Sequence, residues 1–129
     1  MYIKLTVNQI HMIHDSELEA AGGLAGIKDP GYLELIIDKP FTEYFGEEQY
    51  PGLFFKAAVY MHGLATAHCF FDANKRTALL TALTFLDLNG FEVNAPWEDL
   101  FEVTIRVATK EMDVWELAEW LKLNSVATN

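Results

Sequence analysis

Apolar residues recur mostly three and four positions apart along the chain, a spacing that is typical of helices burying one face. Thr6 and Gln9 have the spacing of a capping box, so a first helix should follow them and end at the Gly22–Gly23 break. The pair Asp29–Pro30 predicts the N-cap and first residue of a second helix. That helix should stop before Pro40.

Two strongly apolar segments predict a pair of central helices. The first opens at Pro51 and is apolar nearly all round, so it should be buried rather than lie on the surface. The second runs from about Lys75 to Asn89 and stops at Gly90. A short polar loop, residues 68–74, joins the two helices.

The last third of the chain predicts two more helices. One holds the apolar residues between 100 and 107, and the other starts after Asp113, with Glu116 at capping spacing. Residues 91–93 are expected to form a short strand or flap edge, and residues 125–129 a frayed tail. The pattern therefore predicts an all-α fold.

Composition adds expectations about size and partners. The length predicts one domain, to which we assign residues 1–124. Because 51% of the residues are hydrophobic and 13% aromatic, some apolar surface is expected to serve a partner, in a groove near Trp115 and Trp120. The net charge of −10 argues against direct nucleic-acid binding, since phosphate backbones repel an acidic surface.

Compartment follows from the cysteine count and the apolar runs. Cys69 is the only cysteine, so an internal disulfide is excluded and a reducing compartment is indicated. Residues 1–5 lack the apolar run of a signal peptide, and residues 53–61 are too short to span a bilayer. A cytoplasmic protein without a membrane partner is expected.

The candidate chemistry lies in residues 68–76, the motif segment, which reads His-Cys-Phe-Phe-Asp-Ala-Asn-Lys-Arg. Its second half begins a predicted helix, whose first N–H groups lack partners and favour an anion. Lys75 and Arg76 add positive charge there, and a guanidinium can hold a phosphate with two N–H groups. Asn74 can donate from its amide to a phosphate oxygen.

His68 and Asp72 complete the groups needed for a metal-assisted phosphoryl or nucleotidyl transfer. Histidine has the pKa range of a general base, and an aspartate is a hard oxygen ligand of the kind that Mg²⁺ takes together with substrate phosphates. Phe70 should anchor the loop in the core. The simpler interpretations are that Asp72 is a helix N-cap, that His68 is a helix-end histidine, and that Arg76 is a solvated surface residue.

Three other residues invite chemical interpretations. Cys69 lies beside cationic residues that could lower its pKa, so a thiolate nucleophile is an alternative. His11 and His14 share one helix face, but two ligands do not make a closed metal site. We expect His14 instead to pack and hydrogen-bond near the loop.

The motif segment resembles the H-x-F-x-D-[AG]-N-K-R pattern of the Doc (death-on-curing) branch of the Fic/Doc superfamily. Residues 26–29 resemble the family's G-I-[RK]-D stretch, residues 85–90 its F-L-x-x-N-G ending, and residues 117–121 its last helix. The similarity covers essentially the whole chain in order. It implies a Fic/Doc-like helical bundle with the active loop between the two central helices.

The resemblance also implies an activity. Doc proteins are toxins of type II toxin–antitoxin systems that use ATP and Mg²⁺ to phosphorylate a threonine of elongation factor Tu and so stop translation. Their antitoxin, Phd, folds its C-terminal segment onto the toxin. By position, the resemblance makes His68 the base, Asp72 the Mg²⁺ ligand and Arg76 a catalytic residue. It assigns the phosphates to Ala73, Asn74, Lys75 and Arg76.

Two rival functions remain open. Fic relatives carry H-P-F-x-x-G-N-G-R and transfer AMP from ATP to a target hydroxyl, and a catalytically silent binding module is the other alternative. Lys75 replaces the second glycine of the AMP-transferring motif, which favours the kinase. The complete set of polar residues in the motif segment argues against the silent module. Cys69 stands where many relatives have proline.

Overall fold

Helices make up most of the structure, a computed structural model that describes residues 1–128. A 3₁₀ turn, Lys39–Phe41, directly follows the helix that ends at Asp38. The prediction of an all-α fold is confirmed, with only small strands beside the helices. In the described part of the chain, every helix is too short or too polar to cross a membrane. The helices are α1 (Val7–Ala21), α2 (Pro30–Asp38), α3 (Leu53–Ala67), α4 (Asn74–Leu88), α5 (Trp97–Ala108) and α6 (Val114–Leu123).

Two small antiparallel sheets accompany the helices. β1 (Glu43–Tyr44) pairs with β2 (Glu47–Glu48), and β3 (Phe91–Val93) pairs with β4 (Ser125–Ala127). The strand at residues 91–93 was predicted. The prediction of a frayed tail was wrong for residues 125–127, because they hydrogen-bond to β3. Asn129, which belongs to the same predicted tail, lies outside the described residues.

The β1–β2 hairpin was not predicted. Its two-residue turn consists of Phe45 and Gly46, whose φ angles are 53° and 82°. Positive φ at both positions is typical of the tight turns that match the twist of a hairpin. Strands of two residues are too short to show an alternating pattern in the sequence.

Local signals determine most helix ends as predicted. Both capping boxes form, at Thr6–Gln9 and at Asp113–Glu116, and the carboxylate of Asp29 caps α2. α3 begins at Leu53, two residues later than predicted. The preceding Gly52 has φ of 91°, which is outside the helical range, so the helix cannot start at Pro51.

The core is built around α3 and α4, which pack against each other at its centre. α3 is buried along most of its length, as its continuous apolar character predicts. All six helices contribute to one hydrophobic cluster, with for example Ile10, Leu33, Tyr60, Phe85, Val103 and Leu117. The end of α3 and the start of α4 therefore hold the loop between them on a packed base.

One buried charged side chain connects the β1–β2 hairpin to helix α3. Lys56 in α3 is 1% exposed, and its Nζ donates to Oε1 of Glu48 at 2.8 Å and to the carbonyl of Tyr50 at 2.6 Å. The ammonium also lies 5.4 Å from the centre of the Phe41 ring. A buried ammonium is tolerated only with such partners, so Lys56 holds the segment between α2 and α3 in place.

Removing the acceptor should destabilise the fold. We expect Glu48→Ala to lower the free energy of unfolding by about 1–3 kcal/mol, because Lys56 stays buried with one acceptor fewer. Glu47→Ala in the same exposed strand is the matched control and should change it by less than about 0.5 kcal/mol. Urea unfolding followed by circular dichroism measures both, and equal effects would contradict the assigned role of Lys56.

Candidate active site

The active loop, residues 68–73, is bounded by two residues in the left-handed region. His68 ends α3 with φ of 52°, and Ala73 precedes α4 with φ of 62°. Non-glycine residues adopt such angles only where their surroundings hold them. Asn74 provides this restraint, because its Oδ1 accepts from the N–H of Phe70 at 3.0 Å and its Nδ2 donates to the Phe70 carbonyl at 2.9 Å.

An open cleft of about 430 Å³ lies where the active loop meets α4. It brings together every site residue predicted from the sequence, although Ala73 contributes only its backbone and methyl group. The roles of these residues stay predictions at this point. The cleft is lined by Ala65, His68, Phe71, Asp72, Ala73, Asn74, Lys75, Arg76 and Ala108.

The start of α4 forms one wall of this cleft. The first hydrogen bond of the helix runs from the N–H of Thr77 to the carbonyl of Ala73, at 2.9 Å. The N–H groups of residues 74–76 precede this bond, and Ala73 has no side-chain oxygen that could cap them. These donors, the helix dipole and the exposed Lys75 make this wall suitable for an anion.

The carboxylate of Asp72 faces backbone donors on both sides. Oδ1 accepts from the N–H of Ala73 at 2.9 Å, and Oδ2 accepts from the N–H of Leu24 at 3.2 Å. These two hydrogen bonds hold the pKa of the Asp72 carboxyl below its usual value, and the charge of Arg76 lowers it further. The alternative of Asp72 as the N-cap is wrong, because Ala73 is the N-cap of α4.

The residues present fit a magnesium ion held largely by substrate. Asp72 is ionised at neutral pH, and each of its oxygens has a lone pair beyond the one used by the backbone. Residues 1–128 contain no cluster of three side chains that could hold a metal by themselves. Mg²⁺ is commonly bound by one or two carboxylates, water and phosphates, which this cleft can accommodate.

A glycine-rich stretch, residues 22–29, crosses the active loop from the end of α1. The Gly22 carbonyl accepts from Nη2 of Arg76 at 3.3 Å, and the Cys69 carbonyl accepts from the N–H groups of residues 28 and 29. A Cβ on Gly23 would lie 2.7 Å from Oδ2 of Asp72. Gly22 and Gly23 were predicted only as a helix end, although their position just before the G-I-K-D stretch was a signal of a role at the site.

Two expectations about neighbouring residues are confirmed. Phe70 is 1% exposed and anchors the active loop in the core. His14 is also buried, its ring stacks on Phe70 with centroids 3.8 Å apart, and its Nε2 lies 2.9 Å from the carbonyl of Asp72. The thiolate alternative for Cys69 is wrong, because its side chain is buried and burial raises the pKa of the thiol to about 11.

An exposed apolar groove lies away from the position predicted for it near Trp115 and Trp120. Trp120 packs against the core, and Trp115 is exposed but rests on Phe55. The groove runs between α4 and α5, and Trp97 and Phe101 stack on each other at its edge. This α4–α5 groove is lined mainly by Arg76, Leu79, Leu80, Trp97, Phe101 and Ile105.

Comparison with known proteins gives consistent matches. The family model described as Fic/DOC family matches residues 4–86, which include the whole motif segment. "Protein kinase doc" of Escherichia phage P1 is 38% identical over 119 residues, 92% of this chain and 92% of that protein. "Toxin Doc" of Mycolicibacterium smegmatis is 36% identical over 104 residues, 77% of this chain and 78% of that protein.

The lack of space for a Cβ between Gly23 and the Asp72 carboxylate leads to a prediction. Gly23→Ala should displace the carboxylate and weaken its bond to Leu24, so the pKa of the Asp72 carboxyl should rise toward its usual value. NMR titration of the carboxyl carbon measures this pKa.

Gly22→Ala is the matched control. Gly22 also has positive φ, of 77°, but a Cβ there meets nothing within 4 Å. Both variants should lose about 1–3 kcal/mol of stability from backbone strain. An unchanged Asp72 pKa in Gly23→Ala, or an equal rise in Gly22→Ala, would contradict the assigned contact.

Proposed function

The chain belongs to the Fic/DOC family, and on this premise we propose that it is a toxin that transfers the γ-phosphoryl group of ATP to a protein hydroxyl. The names of the two relatives, a protein kinase and a toxin, support this reaction and this biological class. The observation that carries the proposal is the cleft that joins His68 and Asp72 to the start of α4. By family resemblance, the target is a translation factor, elongation factor Tu.

The wall formed by α4 would bind the phosphates of the nucleotide. The N–H groups of residues 74–76 supply donors that are already oriented, which reduces the cost of ordering them on binding. Asn74 keeps one amide N–H beyond its bond to Phe70. Arg76, held by the Gly22 carbonyl, can add a two-point contact to a phosphate.

Asp72 would hold Mg²⁺ in the same cleft. When bound there, the ion would neutralise charge on the phosphates as the phosphoryl group moves. The lowered pKa keeps the Asp72 carboxylate ionised and available, and the N–H groups of Ala73 and Leu24 keep it oriented.

His68 would act as the general base. Its side chain is exposed on the cleft, at the end of a rigid helix, so a hydroxyl of a protein substrate can reach it. In the transfer, the substrate oxygen bonds to the γ-phosphorus, the bond from that phosphorus to the bridging oxygen of ADP breaks, and His68 accepts the hydroxyl proton. Arg76 stabilises the charge that develops on the phosphate oxygens.

Lys75 favours the kinase over AMP transfer. It is exposed and lines the cleft, at the position where the AMP-transferring pattern has glycine. A lysine there takes up the space for close approach of the nucleotide and adds a mobile cation. We infer that the nucleotide enters with its terminal phosphate, rather than its α-phosphate, near His68.

Labelled ATP tests the reaction. Purified protein is incubated with Mg²⁺, elongation factor Tu and ATP labelled at either the γ or the α phosphate. Label should enter protein from the γ position only. Label from the α position alone would overturn the kinase and support the AMP transferase. If no label is transferred from either position, both proposed activities on this target, phosphoryl transfer and AMP transfer, are contradicted.

Two variants sharpen this test. His68→Ala should fold and lose about 10²–10⁴-fold in rate, the usual contribution of a general base. Lys75→Gly should lose γ transfer, and a gain of α transfer would show that this side chain selects the reaction. Full activity of folded His68→Ala would exclude the general base.

The α4–α5 groove is the proposed site for an antitoxin of the Phd type. Trp97, Phe101 and Ile105 are about half exposed there, and such an apolar strip suits one face of an amphipathic helix. Lys75 and Arg76 line both this groove and the cleft. An occupant of the groove would therefore contact residues that bind the nucleotide.

Aromatic substitutions test the groove. We expect Trp97→Ala to weaken binding of a Phd-type antitoxin about 30-fold or more, as for a central aromatic contact. Trp115→Ala removes another exposed tryptophan, which lies outside the groove, and should leave binding unchanged. Isothermal titration calorimetry measures both affinities. Equal losses, or a loss only in Trp115→Ala, would place the antitoxin elsewhere.

A further inference from the structure

His14 joins α1 to the active loop, although 58 positions separate it from Asp72. It is 1% exposed, and together with Ile10 it forms the buried face of α1. A buried imidazole with one apolar and one polar contact is often only a packing residue. The atoms that His14 contacts indicate a more specific role.

The hydrogen bond has a defined direction. The carbonyl oxygen of Asp72 can only accept, so Nε2 of His14 carries the proton and donates. The other ring nitrogen, Nδ1, lies 3.5 Å from Oδ1 of the exposed Asp15. Stacking on Phe70, with the rings 11° from parallel, prevents the imidazole from turning away.

The hydrogen bond from His14 acts on the peptide group between Asp72 and Ala73. The N–H of this peptide group is a hydrogen-bond partner of the Asp72 carboxylate. The carbonyl of Asp72 and the N–H of Ala73 belong to one planar peptide unit. His14 donates to the carbonyl oxygen of this unit, and the N–H of the unit, which belongs to Ala73, donates to Oδ1 of Asp72 at 2.9 Å. Donation to the carbonyl polarises the amide and strengthens the N–H as a donor. The position of the carbonyl oxygen also fixes the plane of the peptide unit, and therefore the direction in which that N–H points.

We propose that His14 is a positioning residue for the phosphoryl transfer, which orients the Asp72 carboxylate through the 72–73 peptide. This inference rests on the proposed function. Outer partners of metal ligands act in this way, and their loss typically lowers metal affinity or activity about 10–100-fold. The side chain of His14 does not line the cleft, so it acts on the site through the residues that it contacts, and this peptide is its one hydrogen-bonded link to Asp72.

Three variants separate the hydrogen bond from the packing. His14→Phe keeps a flat ring against Phe70 and removes the donor. His14→Gln removes the ring and keeps an N–H donor at a similar reach. His11→Phe is the matched control, because His11 meets the edge of the same Phe70 ring, at 5.9 Å, from the same helix.

The readouts are chosen to respond to the bond. With ATP saturating, kcat of His14→Phe should fall about 10–100-fold, and the Mg²⁺ concentration for half-maximal binding of a non-hydrolysable ATP analogue should rise about tenfold. KM for the protein substrate should not change. The Ala73 amide signal should shift and exchange faster with solvent in NMR. His14→Gln should recover most of each loss, and His11→Phe should resemble the wild type.

Several results would overturn the inference. Wild-type Mg²⁺ dependence and kcat in folded His14→Phe would exclude it, and so would a folded His14→Gln as impaired as His14→Phe, since packing would then decide. If His14→Phe does not fold, His14→Gln alone decides by the same measures. The Mg²⁺ titration and the Ala73 amide require no turnover, so they test His14 even if the labelled-ATP experiment rejects the kinase.

Discussion

The two hydrogen bonds between the Asn74 amide and the backbone of Phe70 are the restraint on which the cleft depends. They fold the active loop back onto the first residue of α4, with His68 at one end of the loop and Asp72 next to the other end. Phe70 is then buried under His14, so the loop is fixed to the core as well as to its own helix. The backbone of the active loop and the carboxylate of Asp72 are therefore oriented before any ligand arrives, which lowers the entropy cost of binding.

The distribution of charge favours a small anion at this rigid cleft. The chain as a whole carries a net charge of −10, so most of its surface repels phosphates. Lys75, Arg76 and the N–H groups at the start of α4 reverse that sign in one place. A small anion is attracted to the cleft, whereas an extended polyanion would meet repulsion on either side.

Features carried by neighbouring residues could be predicted from the sequence. Capping boxes such as Thr6–Gln9 and the motif segment each lie within a few consecutive residues. The helix ends and the polar residues that line the cleft could therefore be predicted from the sequence. The β3–β4 pairing and the close approach of Gly23 to Asp72 bring together distant segments that share no sequence pattern. The groove was misplaced for a related reason: helical spacing shows that Trp120 lies on an apolar face, but not which neighbour covers it.

Arg76 lies at the boundary of the cleft and the α4–α5 groove, and this has a thermodynamic consequence. Under the proposed function, the antitoxin and the nucleotide would meet at this side chain, and a coupling free energy between two bound ligands is the same in both directions. An antitoxin that lowers the affinity for nucleotide must lose its own affinity by the same factor when nucleotide is bound. The abundance of nucleotide in the cell would thus help to set how tightly the antitoxin is held.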